Sequence, residues 1–110
     1  MIKTRTHDTA AILELHGPLA AGQEDAALRA AIRAAFEGGA QTVILNMAAV
    51  GAIDSSGVAA LASGHMTAAN RAGHLKLCCL SAKLKDVFTI TRLNTVFEAY
   101  ETEADALAII

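Results

Sequence analysis

The order of segments along this chain predicts an α/β domain, a mixed β-sheet of roughly four to five strands flanked by about four α-helices. Three observations carry the prediction. Short apolar runs rich in branched aliphatic residues, Val43-Ile44-Leu45 foremost, read as buried strands. Longer segments with apolar residues at helical spacing lie between them, and Gly17-Pro18, Gly38-Gly39 and Gly73 mark the boundaries. Two strand-like segments come first and strand–helix alternation follows, which requires crossover connections and parallel pairing over at least part of the sheet.

Ile2 to Thr6 reads as a half-exposed strand, closed by a turn at His7-Asp8. Ala10 to His16 sets Leu13 and Leu15 against Glu14 and His16, the alternation of a strand with one wet face. Glu24 to Glu37 is the clearest helix: Leu28, Ile32 and Phe36 share a face with Ala31 and Ala35, while Asp25–Arg29 and Arg33–Glu37 are spaced to pair outside. Gln41 to Met47 reads as a buried strand, Val58 to Ala72 as a second helix, and His74 to Leu80 as another strand with Leu75 and Leu77 on one face. Ser81 is placed to cap a third helix carrying Leu84, Val87, Phe88 and Thr91. Val96 to Tyr100 is a short last strand, and Thr102 with Asp105 resembles a capping box for a terminal helix through Leu107.

With 110 residues, 54% of them hydrophobic and 18% charged, residues 1–110 are expected to form a single domain with one buried core rather than a disordered chain. The net charge is −2 and no basic stripe occurs, which argues against a nucleic-acid partner. No apolar stretch is long enough to span a bilayer, and Met1 to Asp8 lacks the apolar centre of a signal peptide, so the expectation is a soluble, cytoplasmic protein without membrane insertion. Cys78 and Cys79 are adjacent in a strand-like run, which should turn their side chains to opposite faces as small buried hydrophobes. They form neither a redox pair nor half of a zinc site.

The chemistry-bearing stretch is Asp54-Ser55-Ser56-Gly57, at a loop-to-helix junction. Unpaired amides and the positive end of the helix dipole make such a junction fit either for a capping side chain or for a phosphate. An enzymatic reading finds little support. The nucleotide-loop, zinc-protease and nucleophile-elbow patterns are absent. His7, His16, His65 and His74 lack the spacing of a metal pair, and an adjacent carboxylate such as Asp54 is a poor base for a serine. No catalytic residue, metal or cofactor is therefore expected.

The segment Val43-Ile44-Leu45-Asn46-Met47-Ala48-Ala49-Val50-Gly51-Ala52-Ile53-Asp54-Ser55-Ser56-Gly57-Val58 resembles the central motif of the STAS domain, found in bacterial anti-sigma-factor antagonists and at the cytosolic end of sulphate transporters. Three further blocks are similar to that family in the same order: Ala11 to Leu19, Leu77 to Phe88, and Val96 to Tyr100 followed by Glu103 to Leu107. The resemblance implies that Ser55 is the phosphoacceptor for a partner serine kinase that doubles as an anti-sigma factor. The unphosphorylated protein would bind that kinase and free the sigma factor; the phosphorylated one would let go. Asp54, Ser55, Ser56 and Gly57 would form the partner-binding surface, with Asp54 positioning Ser55, Ser56 capping the helix and Gly57 allowing close approach of a partner. The protein would be a monomer or weak dimer.

Asn46 and Ala20 stand where acids are common in the family, and Gly51-Ala52 replaces a bulkier pair, departures that bear on which partner is recognised. The alternative within the family is a stand-alone STAS subunit of a stress-signalling scaffold or of a lipid-transport ABC assembly.

Overall fold

The computed structural model describes residues 2–18 and 23–108. Strands β1 (Ile2–His7), β2 (Ala10–His16), β3 (Thr42–Ala49), β4 (His74–Cys78) and β5 (Glu98–Tyr100) form one sheet in the spatial order β1-β2-β3-β4-β5. Strand β1 runs antiparallel to β2, and every later pairing is parallel. The parallel crossovers are made by α1 (Gln23–Glu37), α2 (Ser55–Asn70) and α3 (Ala82–Ile90), and a short α4 (Glu103–Leu107) closes the described chain.

Because each crossover moves one strand in the same direction, a constant hand places its helix on the same face. The packing agrees: Leu28, Ile32 and Phe36 of α1, Leu61 and Ala68 of α2, and Leu84 and Phe88 of α3 share one core with Leu13, Leu15, Val43, Leu45, Met47, Leu75 and Leu77. The alternate strand residues face the other way. There Ala10, Ile12, Ile44 and Cys78 are buried under Ala106 of α4, with Tyr100 and Leu107 at the margin.

Helices α1 and α2 meet at Gly64. A Cβ on Gly64 would stand 2.6 Å from Cδ1 of Ile32 and 3.2 Å from Cδ2 of Leu75, so the absent side chain is what allows the helix to lie this close. The expected caps of the later helices form: Ser81 Oγ accepts from Leu84 N at 3.2 Å, and Thr102 Oγ1 from Asp105 N at 3.1 Å.

Several boundaries differ from the expectation. Strand β3 runs on to Ala49, helped by Asn46 Oδ1, which accepts from Ala48 N at 3.0 Å. Strand β4 stops at Cys78 because Cys79 takes a left-handed φ of 63°, which ends the pleat. The two cysteines therefore do not part to opposite faces. Cys78 is fully buried, Cys79 packs partly against the same small core, and burial followed by a hydrogen bond to Cys79 pushes the Cys78 thiol up to about 12. Strand β5 begins at Glu98 rather than Val96, since Leu93–Thr95 form a 3₁₀ turn that Val96 closes. Glu37, spaced to meet Arg33, lies 3.8 Å from Arg71 beyond the end of α2. The expected Asp25–Arg29 pair and Ala20 involve side chains outside the described ones.

Candidate functional site

Strand β3 delivers the chain to the edge of the main core, where Val50 is 1% exposed and its amide donates to Met47 O at 3.0 Å. Ile53 packs against the same core and anchors the loop's far end. Asp54 then adopts an extended conformation, φ −113° and ψ −173°, and is the N-cap of α2. Its Oδ1 accepts from Gly57 N at 3.0 Å, while its carbonyl takes the first helical bond from Val58 N, also at 3.0 Å.

This corrects two expectations. The helix starts at Ser55, not Val58, and Asp54 rather than Ser56 supplies the cap. A capping side chain must precede the first helical residue, and Ser55 and Ser56 are already inside the first turn. Gly57 is buried and its amide points back to Asp54, so it seats the helix start against the core. Ser55 is exposed, Ser56 half-buried and Asp54 exposed, which leaves Ser55 outermost on the first turn with its hydroxyl outside the capping bond.

The exposed face of α2 continues from Ser55 through Ala59, Ala62, Met66 and Ala69. Met66 is 60% exposed, and no Asp, Glu, Lys or Arg occurs from Ser55 to Asn70. The DSSG motif does not point to that uncharged outer face, although the absence of charge is visible in the sequence. The histidines are elsewhere: His65 sets its ring edge-on to Phe97 at 5.6 Å, His7 lies 3.7 Å from Asp8, and His74 opens β4 at the opposite end of the sheet. Among the described residues no hydrogen bond or ion pair links a histidine to Ser55, and no cluster of His, Cys, Asp or Glu is suited to a metal ion.

Asn46, one of the departures from the family pattern, is on the sheet face opposite α2. Its Nδ2 donates to Glu103 Oε2, and Arg5 binds the same carboxylate at 2.7 Å while holding Glu14 at 2.8 Å. Burial disfavours the Glu103 carboxylate, but hydrogen bonds from Asn46 and Arg5 outweigh it and hold the group below the usual range. An acid is thus present beside position 46 after all, supplied by α4.

With this geometry in view, a family comparison matches the STAS domain over residues 1–106. The chain belongs to the STAS domain family. Among curated proteins none matches. Solved structures share the fold. A Thermotoga maritima protein described as an anti-sigma factor antagonist superposes with a TM-score of 0.90 at 17% identity, over 99% of this chain and 93% of that one. The Bacillus cell fate determinant SpoIIAA in its phosphorylated form gives 0.75 at 24% identity, over 98% and 97%. A sulfate transporter family protein from Wolinella succinogenes gives 0.81 at 23%, over 92% and 84%. No helix among the described residues is long and apolar enough to cross a membrane.

Proposed function

We propose that this protein is an anti-sigma-factor antagonist that docks on an anti-sigma factor through the start and outer face of α2 and is released when the partner's kinase activity phosphorylates Ser55. The observation that carries the reading is the placement of Ser55: exposed, on the first turn of α2, and outside the capping bond made by Asp54. A kinase can reach such a hydroxyl without unfolding the helix.

The physics of the modification supports release rather than unfolding. The hydroxyl oxygen takes the γ-phosphoryl group of ATP, the bond from that phosphorus to the bridging oxygen breaks, and ADP and the hydroxyl proton leave. The product adds a charge of about −1.5 to −2 at the positive end of a helix, where it is locally favourable. Across an interface the same charge brings desolvation cost, bulk and repulsion beside Asp54. The uncharged face beyond Ser55, alanines with Met66 exposed among them, is suited to be desolvated by a partner, because charged groups are depleted from the centres of protein interfaces. Membership of the STAS family and the likeness of fold to SpoIIAA are consistent with this role.

The experiment uses the purified partner kinase. Mass spectrometry after incubation with ATP should place phosphate on Ser55, and Ser55→Ala should abolish it. Calorimetry should then rank wild type and Ser55→Ala tightest, Ser55→Asp weaker and the phosphoprotein weakest. Phosphate at another residue, or equal binding by all four forms, would reject the switch. Recovery in a large particle or with a transporter ATPase would favour the scaffold or ABC-assembly subunit instead.

A further inference from the structure

At the other end of the sheet, where the parallel strands begin, lies a cavity of about 440 Å³. Lys76, Arg71, His74, Thr42, Gln41 and Glu98 are among the residues that line it. Lys76 is only 3% exposed. Its Nζ reaches Ala106 O at 3.5 Å, the outer limit of a hydrogen bond, and lies 5.4 Å from the centre of the Tyr100 ring. Among the described residues no carboxylate oxygen is within 4.0 Å of it. Glu98, opposite Lys76 on β5, accepts instead from the Tyr100 hydroxyl at 3.1 Å. An ammonium taken out of water is costly unless an anion or several acceptors complete it. This one has a marginal carbonyl and a ring.

We propose that the cavity binds a small oxyanion, a phosphorylated or carboxylated solute, between Lys76 and Arg71. The Arg71 guanidinium offers a fork of donors and is held only loosely by Glu37, at 3.8 Å. Gln41, Thr42 and His74 add further polar side chains to the lining. The wall is preformed: a side chain on Gly73 would meet Gln41 O at 2.8 Å and Phe36 Cε1 at 2.9 Å, and His74 N donates to Gln41 O at 3.0 Å. The negative end of α2 also faces this region and opposes an anion, but its last carbonyls accept from the amides of Arg71, Ala72 and Gly73, which blunts that pole. The competing role for Lys76 is structural, to hold the last turn of α4 through Ala106 O.

NMR titration of the isotope-labelled full chain separates these roles, with inorganic phosphate and succinate as probes and chloride at matched ionic strength as control. The amides of His74, Lys76 and Glu98 should shift saturably with one probe or both, half-saturating at ~10 mM or below. Saturation by phosphate alone assigns the phosphorylated class, and saturation by succinate alone the carboxylated one. Arg71→Gln should weaken binding at least about fivefold, as expected for loss of a charge-assisted contact, and Lys76→Met should abolish it. Absence of saturable shifts, equal shifts with chloride, or wild-type binding by Arg71→Gln would overturn the proposal. Arg71 is exposed, so its variant decides the matter even if Lys76→Met fails to fold. Ser55 takes no part in the measurement, and its result stands apart from the switch.

Discussion

Asn46 on β3 and Arg5 on β1 converge on one carboxylate oxygen of Glu103, the first residue of α4. The pair Asn46–Glu103 pins a short helix, too short to persist alone, to the sheet face it covers. Because the folded-state Glu103 carboxyl titrates below its unfolded value, its ionisation stabilises the native state at any pH above the ordinary carboxylate range. That stability is lost as pH falls through the depressed folded value. Glu103→Gln should therefore melt lower than wild type at neutral pH, with the difference closing below about pH 4. Urea titrations across pH are the check, and a difference independent of pH would contradict the assignment.

Asn46→Asp restores the acid common in the family but places it against Glu103. The lost donor and like-charge repulsion should cost about 1–3 kcal/mol at neutral pH, with partial recovery in acid as one carboxyl takes up a proton. A melt series at neutral and acid pH reads both the size and the sign.

Asp54→Ala removes the capping oxygen of α2 and should lose about 1 kcal/mol. Ser56→Ala, two residues inside the cap, should stay within about 0.5 kcal/mol of wild type. Denaturant titration of both variants tests which residue caps; the reverse ranking would return that role to Ser56.

Ser55→Asp places negative charge where the dipole of α2 favours it and where the side chain is exposed. Its melting curve should correspond to a change within roughly 1 kcal/mol. A larger loss would mean that the hydroxyl is packed against the fold, which no switch by surface modification could tolerate.

Gly64→Ala forces a Cβ against Ile32 and should cost about 1–3 kcal/mol. Ile32→Val in the same background removes the contacting Cδ1, so the double variant should lose less than the sum of the single ones. Strict additivity would show that the helices simply move apart.

The parts of this molecule legible in its sequence are those written locally. The stripe Leu28–Ile32–Phe36 and the caps at Ser81 and Thr102 depend on residues a turn apart, and they form as the spacing predicts. The start of α2 was harder to place, because Asp54, Ser55 and Ser56 are all good capping types. Only the backbone decides among them, extended at Asp54 and helical from Ser55. The end of β4 is not legible, because nothing in an apolar Cys78-Cys79-Leu80 run announces a left-handed residue. The proposal of Ser55 as phosphoacceptor rests on a local motif, whereas no local signal points to the Lys76 cavity. Alternation with Leu75 and Leu77 turns Lys76 to the outer face, and only the return of α4 over that face buries it. Likewise no local period reports that Arg5 and Glu103, 98 residues apart, will meet.

Strand order that matches chain order has a consequence for how the polypeptide acquires its shape. As the chain leaves the ribosome, each new strand can add to the edge left by the one before, starting from the β1–β2 hairpin. No strand has to be inserted between two already paired. The Arg5–Glu103 contact has the opposite character, since it closes a loop that spans nearly the whole described chain. Docking of α4 is therefore expected to be a late, non-local step, and the amides of Ala106 and Ala108, bonded within that last turn, should gain protection from hydrogen exchange after those of β2 and β3.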